Sequence, residues 1–443
     1  MSTPLTHRSA TELARLIRER AVSAVEVMDA HLIAIERLNP QLNAIVAVAE
    51  DAREQAAAYD RALARGHRIG PLHGVPFTAK DIIETAGLPT TLGMVDLADN
   101  RPAQDATVVA RMRSSGAILL GKTNCPSGGS GGVTDNELHG RTLNPYDAQR
   151  SPGGSSGGEA AAIAAAMTPC GIGSDSGGSL RMPAHFCGIA TLKPTAGRIP
   201  LTGVLDEHGA LGPMSDPRTQ PGPMARRVED LSTLLSILAG PDGIDGGSIP
   251  VPLGDPAGVE LRGLRVMLHR SDGVAAPDVG TERALRNAAT ALSEIGAVVV
   301  EDAPPPGGHE LTERVWDSYG DEMTASELYR ILRHWDIYRT AMLALLGRFD
   351  LILTPVAPEP APLHGGEVVW RYTTPHSLTG WPCVVVRAGT SVGMPVGVQL
   401  VSGPWKDPVA IAAAATVESA LGGWLPPPDH SEPRGRAEQV ALT

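Results

Sequence analysis

The sequence predicts an α/β fold in which a β-sheet is covered by helices on both faces. Segments of helical periodicity alternating with short apolar strand runs predict it, and 42% hydrophobic against 19% charged residues is the ordinary balance of a globular chain. At 443 residues the length alone allows up to about three average domains or one large unit.

From Ser9 to Leu38 two capping boxes, Ser9 with Glu12 and Ser23 with Glu26, open helices in which Leu13, Leu16 and Ile17 line one face. Thr107–Ser115 reads as a helix ended by Gly116, and Ala117–Leu120 as a buried strand. The alternation continues with a helix through Leu231, Leu234, Leu235 and Leu238, a strand Leu264–Leu268, a helix Thr281–Ile295 and a strand Val298–Val300. No internal repeat stands out. The Pro/Gly-rich stretches 241–257 and 304–308 read as surface loops or a lobe boundary, and Pro426–Thr443 as a loose, flexible tail.

Composition excludes several function classes. A formal charge of −12 opposes binding to nucleic acid or anionic lipid, which depends on clustered Lys and Arg. Cys125, Cys170, Cys187 and Cys383 show no Cys-x-x-Cys spacing and are too few in 443 residues for a disulfide framework, so they predict a reducing, cytoplasmic setting. Charges at Arg8, Glu12, Arg15, Arg18, Glu19 and Arg20 interrupt any signal-peptide core, and no apolar run is long enough for a membrane span.

Glycine concentrates where chemistry is expected: residues 116–178 hold 15 of the 50 glycines, about twice the even share, and glycine clusters need a backbone reason. Three motifs compete for that window. GAILLGKT (116–123) matches the P-loop pattern, yet its variable positions are an apolar run and Asn124-Cys125-Pro126 follows, so the strand reading is preferred. Gly153-Gly154-Ser155-Ser156-Gly157 matches a nucleophile elbow, but no strand precedes it, and a glycine loop capping a helix near Glu159 stands beside that reading. Ser176-Gly177-Gly178-Ser179 presents consecutive N–H groups before a short helix; it fits a helix cap or an oxyanion hole with Ser179 as the attacking group.

GVPFTAKDIIETAGLPTTLG (74–93), GKTN (121–124), SPGGSSGGEAAA (151–162) and GSDSGGSLRMPAHFCGIATLKPT (173–195) are similar, in order and spacing, to successive blocks of the amidase signature family. Weaker agreement reaches LTPVAP (353–358), TGWPCVVV (379–386) and MPVGVQLV (394–401), so the resemblance covers nearly the whole chain. It implies a single large domain over 1–425 with a mixed central sheet, a catalytic core at about 65–200 and a more variable lobe at about 241–345. It implies Lys80 as the catalytic lysine, Ser155 as a bridging serine after a cis peptide, and Ser179 as the nucleophile. The oxyanion hole would be the N–H groups of Ser176, Gly177, Gly178 and Ser179, with Ser156, Asp175 and Arg181 as flanking supports. Ser176 stands where the family more often has Ile or Thr.

The implied reaction cleaves an amide-type C–N bond of a small molecule (carboxamide, anilide or carbamate, with esters also in reach) through an acyl-enzyme and water. No metal or organic cofactor is implied. A related member type, the amidase component of a transfer-RNA amidotransferase, passes ammonia to a partner instead. The chemistry needs Lys80 neutral, and burial among Val75, Pro76, Phe77, Ile82 and Ile83 lowers a lysine pKa; Asp81 is therefore expected not to touch the amine. His309-Glu310-Leu311-Thr312-Glu313 lacks the second histidine of a zinc helix. Trp316, Tyr319, Tyr329, Trp335 and Tyr338 fall at helical spacings, which fits core packing or a homodimer contact, with a substrate-pocket wall as the alternative.

Overall fold

The computed structural model describes residues 3–67, 70–214, 216–320 and 323–428. In chain order its strands are β1 (Ile45–Val48), β2 (Pro76–Lys80), β3 (Ile118–Thr123), β4 (Cys170–Asp175), β5 (Ala190–Lys193), β6 (Leu205–Asp206), β7 (Gly209–Ala210), β8 (Gln220–Ala225), β9 (Arg265–Leu268), β10 (Val298–Glu301), β11 (Leu351–Pro355), β12 (Cys383–Ser391) and β13 (Met394–Ser402). Eleven of them form one mixed sheet, ordered β1-β3-β2-β4-β8-β5-β12-β13-β11-β9-β10, while β6 and β7 pair separately. With twelve α-helices among the described residues, this is a single large α/β domain.

Strand alternation explains why helices cover both faces. Successive side chains of a strand point to opposite sides. Val384 and Val386 of β12 join an apolar cluster with Leu285 and Leu292 of the helix Val279–Glu294 and Val417 of the helix Asp407–Leu421. Val385 joins a second cluster with Phe186 of the helix Arg181–Cys187. Cys383 joins a third with Trp335 and Met342 of the helix Ala325–Leu345.

The expected amino-terminal helices are present as Ala10–Arg18 and Ala24–Leu42. The Ser23–Glu26 capping box is complete, but the Ser9–Glu12 box is half formed. Ser9 Oγ accepts the Glu12 N–H at 3.0 Å, whereas the Glu12 carboxylate turns to Arg8. Distant Asp230 accepts the free N–H groups of Ala10 and Thr11 at 2.9 and 2.8 Å, so a tertiary contact completes a cap expected to be local.

β3 continues three residues past Leu120, through Gly121, Lys122 and Thr123, with β1 on one side and β2 on the other. Ladder pairing on both sides removes the phosphate cradle that the P-loop pattern would need. Residues 256–258 form a short 3₁₀ turn within an otherwise irregular 241–258. Of the expected tail, residues 429–443 lie outside the described residues. Among the described residues no helix is long and apolar enough to cross a membrane.

Two features of the topology position the candidate site. β2 and β4 are adjacent and parallel, with Thr78 opposite Gly171 and Ala79 opposite Ile172. Their carboxyl ends, Lys80 and Asp175, therefore emerge at the same sheet edge, where α/β proteins bind ligands.

Candidate active site

Lys80 ends β2 with its side chain wholly buried. Its Nζ lies 2.6 Å from Ser155 Oγ and 2.9 Å from Ser174 Oγ, with Gly129 O at 3.4 Å. Burial pushes the amine from its ordinary 10.5 down to about 8, against the opposing pull of Cys125 and Asp175. Val75, Phe77, Ile82 and Ile83 are buried as expected. Asp81 faces elsewhere: it accepts from the Thr91 N–H at 3.1 Å and the Thr91 hydroxyl, and lies 3.8 Å from Lys122 Nζ.

Ser155 follows a cis peptide bond at Gly154–Ser155 and precedes the helix Gly157–Ala164. Gly153 has φ +84°, and a Cβ there would come 2.9 Å from Phe186 Cδ2 and 3.1 Å from Pro183 Cα. Only glycine lets the turn lie this close to the neighbouring helix. Ser156 ties the turn to β4 and to Ser179. Its N–H donates to Ser179 O at 3.2 Å, its Oγ donates to Ser174 O at 3.2 Å, and that Oγ accepts the Ser174 N–H at 3.3 Å.

Ser179 is half-buried, and its hydroxyl hydrogen-bonds to no described residue. Lys80 and Ser155 are thus joined directly, whereas Ser179 is held beside Ser155 through its main chain. Such looseness is usual before a substrate is bound. The N–H groups of Ser176, Gly177, Gly178 and Ser179 likewise donate to no described acceptor, and four consecutive unspent donors make a ready anion site. Gly178 has φ +147°; a Cβ there would lie 2.5 Å from Thr373 Oγ1 and 3.0 Å from Trp370 Cε3.

Asp175 and Arg181 brace this turn from beneath. Both are fully buried and pair in a fork, Nε to Oδ2 and Nη2 to Oδ1, each at 2.9 Å. Asp175 Oδ2 also accepts the Leu180 N–H at 3.1 Å, closing the loop around 176–179. Arg181 completes its bonding with Thr373 O at 2.7 Å, Gln399 Oε1 at 2.8 Å and Ser377 Oγ at 2.7 Å. Burial alone would raise the Asp175 carboxyl, but the Arg181 charge and hydrogen bonds hold it below its usual range.

Two contacts were not read from the sequence. Ser174 supplies the second hydroxyl on Lys80; the signal would have been the register that sets the ends of β2 and β4 side by side. At the other end of the loop, the Ser176 hydroxyl bonds Thr219 Oγ1, which donates to Asp216 at 2.6 Å.

The aromatic cluster divides. Trp335 and Tyr338 belong to the apolar core, Tyr329 is exposed, and the Tyr319 side chain lies outside what is described. Trp316 stands over the loop, where a Cβ on Gly177 would overlap its ring carbon Cζ2. His309 bonds Thr374 Oγ1 at 2.9 Å through Nδ1 and lies 3.3 Å from Glu313 through Nε2. The four cysteines are free and buried.

The amidase family profile matches residues 26–317 and 313–410. A glutamyl-tRNA(Gln) amidotransferase subunit of Chloroflexus aurantiacus is 33% identical over 471 residues, covering 91% of this chain and 95% of that protein. An acylamidase of Rhodococcus erythropolis is 33% identical over 465 residues, covering 93% and 95%. Among solved structures, a bacterial aryl acylamidase belonging to the amidase signature enzymes superposes with a TM-score of 0.82 at 28% identity, over 94% of this chain and 97% of that one.

Proposed function

The chain belongs to the amidase family, and on that premise we propose that it hydrolyses amide-type C–N bonds of small molecules through an acyl-enzyme on Ser179. The observation carrying this reading is a fully buried lysine amine, lowered to about 8, at 2.6 Å from a serine hydroxyl beside four unspent main-chain donors.

The neutral Lys80 amine takes a proton from Ser155 Oγ as Ser155 Oγ takes the Ser179 proton. Rotation of the Ser179 side chain toward Ser155 closes the relay, a motion between staggered states. Ser179 Oγ attacks the substrate carbonyl carbon, and the carbonyl oxygen becomes an oxyanion held by the N–H groups of 176–179. Preorganised donors of this kind are usually the largest single contribution to the rate. As the C–N bond breaks, the proton stored on Lys80 returns through Ser155 to the departing nitrogen. Water then gives its proton to the same relay and attacks the acyl carbon, releasing the acid and restoring Ser179.

Asp175 and Arg181 fix the donor loop without touching the reacting atoms, and Ser156 holds Ser179 against the turn that carries Ser155. The substrate is a carboxamide, an anilide or a carbamate, with esters as weaker competitors. The test is a panel of these four classes assayed with the purified lone chain and with its Ser179→Ala variant. Turnover of C–N substrates that disappears in the variant supports the reading; turnover surviving in the variant rejects it.

A second reading follows from the similarity to the amidotransferase component, in which ammonia passes to a partner rather than being released. It requires a stable complex with a second protein and weak release of ammonia by the lone chain. Efficient turnover by the chain alone excludes it.

A further inference from the structure

We infer that the substrate carries a flat aromatic ring, and that Trp316 and Trp370 receive it. This rests on the acyl-transfer reading above, because it places the ring beside the loop that holds the carbonyl oxygen. Trp316 belongs to the helix Gly308–Gly320, whereas Trp370 lies just before the helix Thr374–Thr379. Their rings meet edge to face, with centroids 6.3 Å apart and planes at 78°. Trp316 touches Gly177, and Trp370 lies against both Gly178 and Gly132, where added Cβ atoms would stand 3.0 and 2.9 Å from its ring. The two indoles therefore form a corner over the middle of the donor loop.

These rings differ from two of the chain's core tryptophans. Trp335 and Trp424 are buried and donate their Nε1–H to Leu378 O and Ala164 O at 2.6 and 3.1 Å. Trp316 and Trp370 are only half-buried, and their Nε1–H groups reach no described acceptor. Buried Trp381 also has no described acceptor for its Nε1–H, so what sets this pair apart is partial exposure beside the loop, in a chain with only 3% aromatic residues. Arg218 stands 6.0 Å from the centroid of the Trp316 ring, occupying one side of it. Two perpendicular indoles reward a planar ring twice, stacked on one and edge-on to the other, beyond its buried area. An alicyclic group of the same size gains the area alone.

Matched pairs test this. Benzamide against cyclohexanecarboxamide places the ring in the acyl half; acetanilide against N-cyclohexylacetamide places it in the amine half. For each pair the ratio of kcat/KM values is compared between the native chain and Trp316→Ala, Trp370→Ala, Trp316→Phe and Trp370→Phe, so that intrinsic reactivity cancels. The expected result is a loss of aromatic preference by about three- to tenfold in each Ala variant for at least one pair, largely recovered in the Phe variants. The responding pair identifies the half that carries the ring. An unchanged ratio in both pairs, or equal losses for both members, overturns the inference. A serine-directed phosphonate is applied to every variant. Variants that still take up the label but keep the native ratio count against the aromatic corner alone, whereas a label retained by Ser179→Ala counts against the acyl-transfer reading beneath it. Should an Ala variant fail to fold, Leu in place of Ala carries the same comparison with Phe.

Discussion

In the proposed chemistry, the pH dependence of Ser179 acylation follows from the burial of Lys80. Only pH is varied, and the amine is lowered from 10.5 to about 8. If the neutral amine drives attack, the rate follows the unprotonated fraction, roughly 1% at pH 6 and about half at pH 8, so it should climb about fifty-fold between them and level off above pH 9. An exposed lysine near 10.5 would instead give a rate still climbing tenfold per pH unit past pH 9. The assay is the rate of phosphonate or sulfonyl fluoride adduct formation, read by intact mass at a series of pH values and corrected for hydrolysis of the reagent. Steady growth past pH 9.5, or a rate indifferent to pH from 6 to 8, would rule out a neutral, buried Lys80 as the base.

The same burial makes a stability prediction. Between about pH 8 and 10.5 the unfolded chain holds the Lys80 proton and the folded chain does not, so native stability rises with pH across that window. At about 1.4 kcal/mol per pH unit the full effect is roughly 3 kcal/mol. Lys80→Met removes this dependence while losing two hydroxyl contacts. Its melting temperature relative to the native chain should therefore fall from pH 7 to pH 10, and a constant difference would argue against a desolvated amine. Asp175→Ala should cost about 3–5 kcal/mol by leaving Arg181 buried without its partner, seen as a lower melting temperature together with slow labelling of Ser179. A native-like melting temperature contradicts the bracing role. Gly177→Ala drives a Cβ into Trp316 and should slow labelling at least about tenfold; adding Trp316→Ala should recover part of that loss, as coupled neighbours do. Simple additivity of the two changes would show that the ring is not what the methyl meets.

How much of this was legible in the sequence depends on how local each feature is. Lys80, Ser155 and Ser179 stand out in the sequence because each sits in a block whose order and spacing are specific, and the structure brings the first two to 2.6 Å. The sheet order was not legible, since β5 pairs with β12 across nearly half of the chain's length, and alternation says nothing about distant partners. Ser174 was missed for that reason: only the register of β2 on β4 aims it at Lys80. The tryptophans at 316 and 335 looked equivalent at helical spacing, but they lie on different helices, one facing the donor loop and the other the core. The Ser9–Glu12 pattern fits a local cap, but neighbouring Arg8 competes for the Glu12 carboxylate, which composition alone cannot weigh.

The proposed hydrolysis requires a covalent bond to form at Ser179. Intact-mass analysis after a serine-directed phosphonate, followed by peptide mapping, reads that bond directly. One adduct per chain, mapped to Ser179 and missing from Ser179→Ala, is the predicted result. An adduct on any other side chain, or undiminished labelling of the variant, contradicts it.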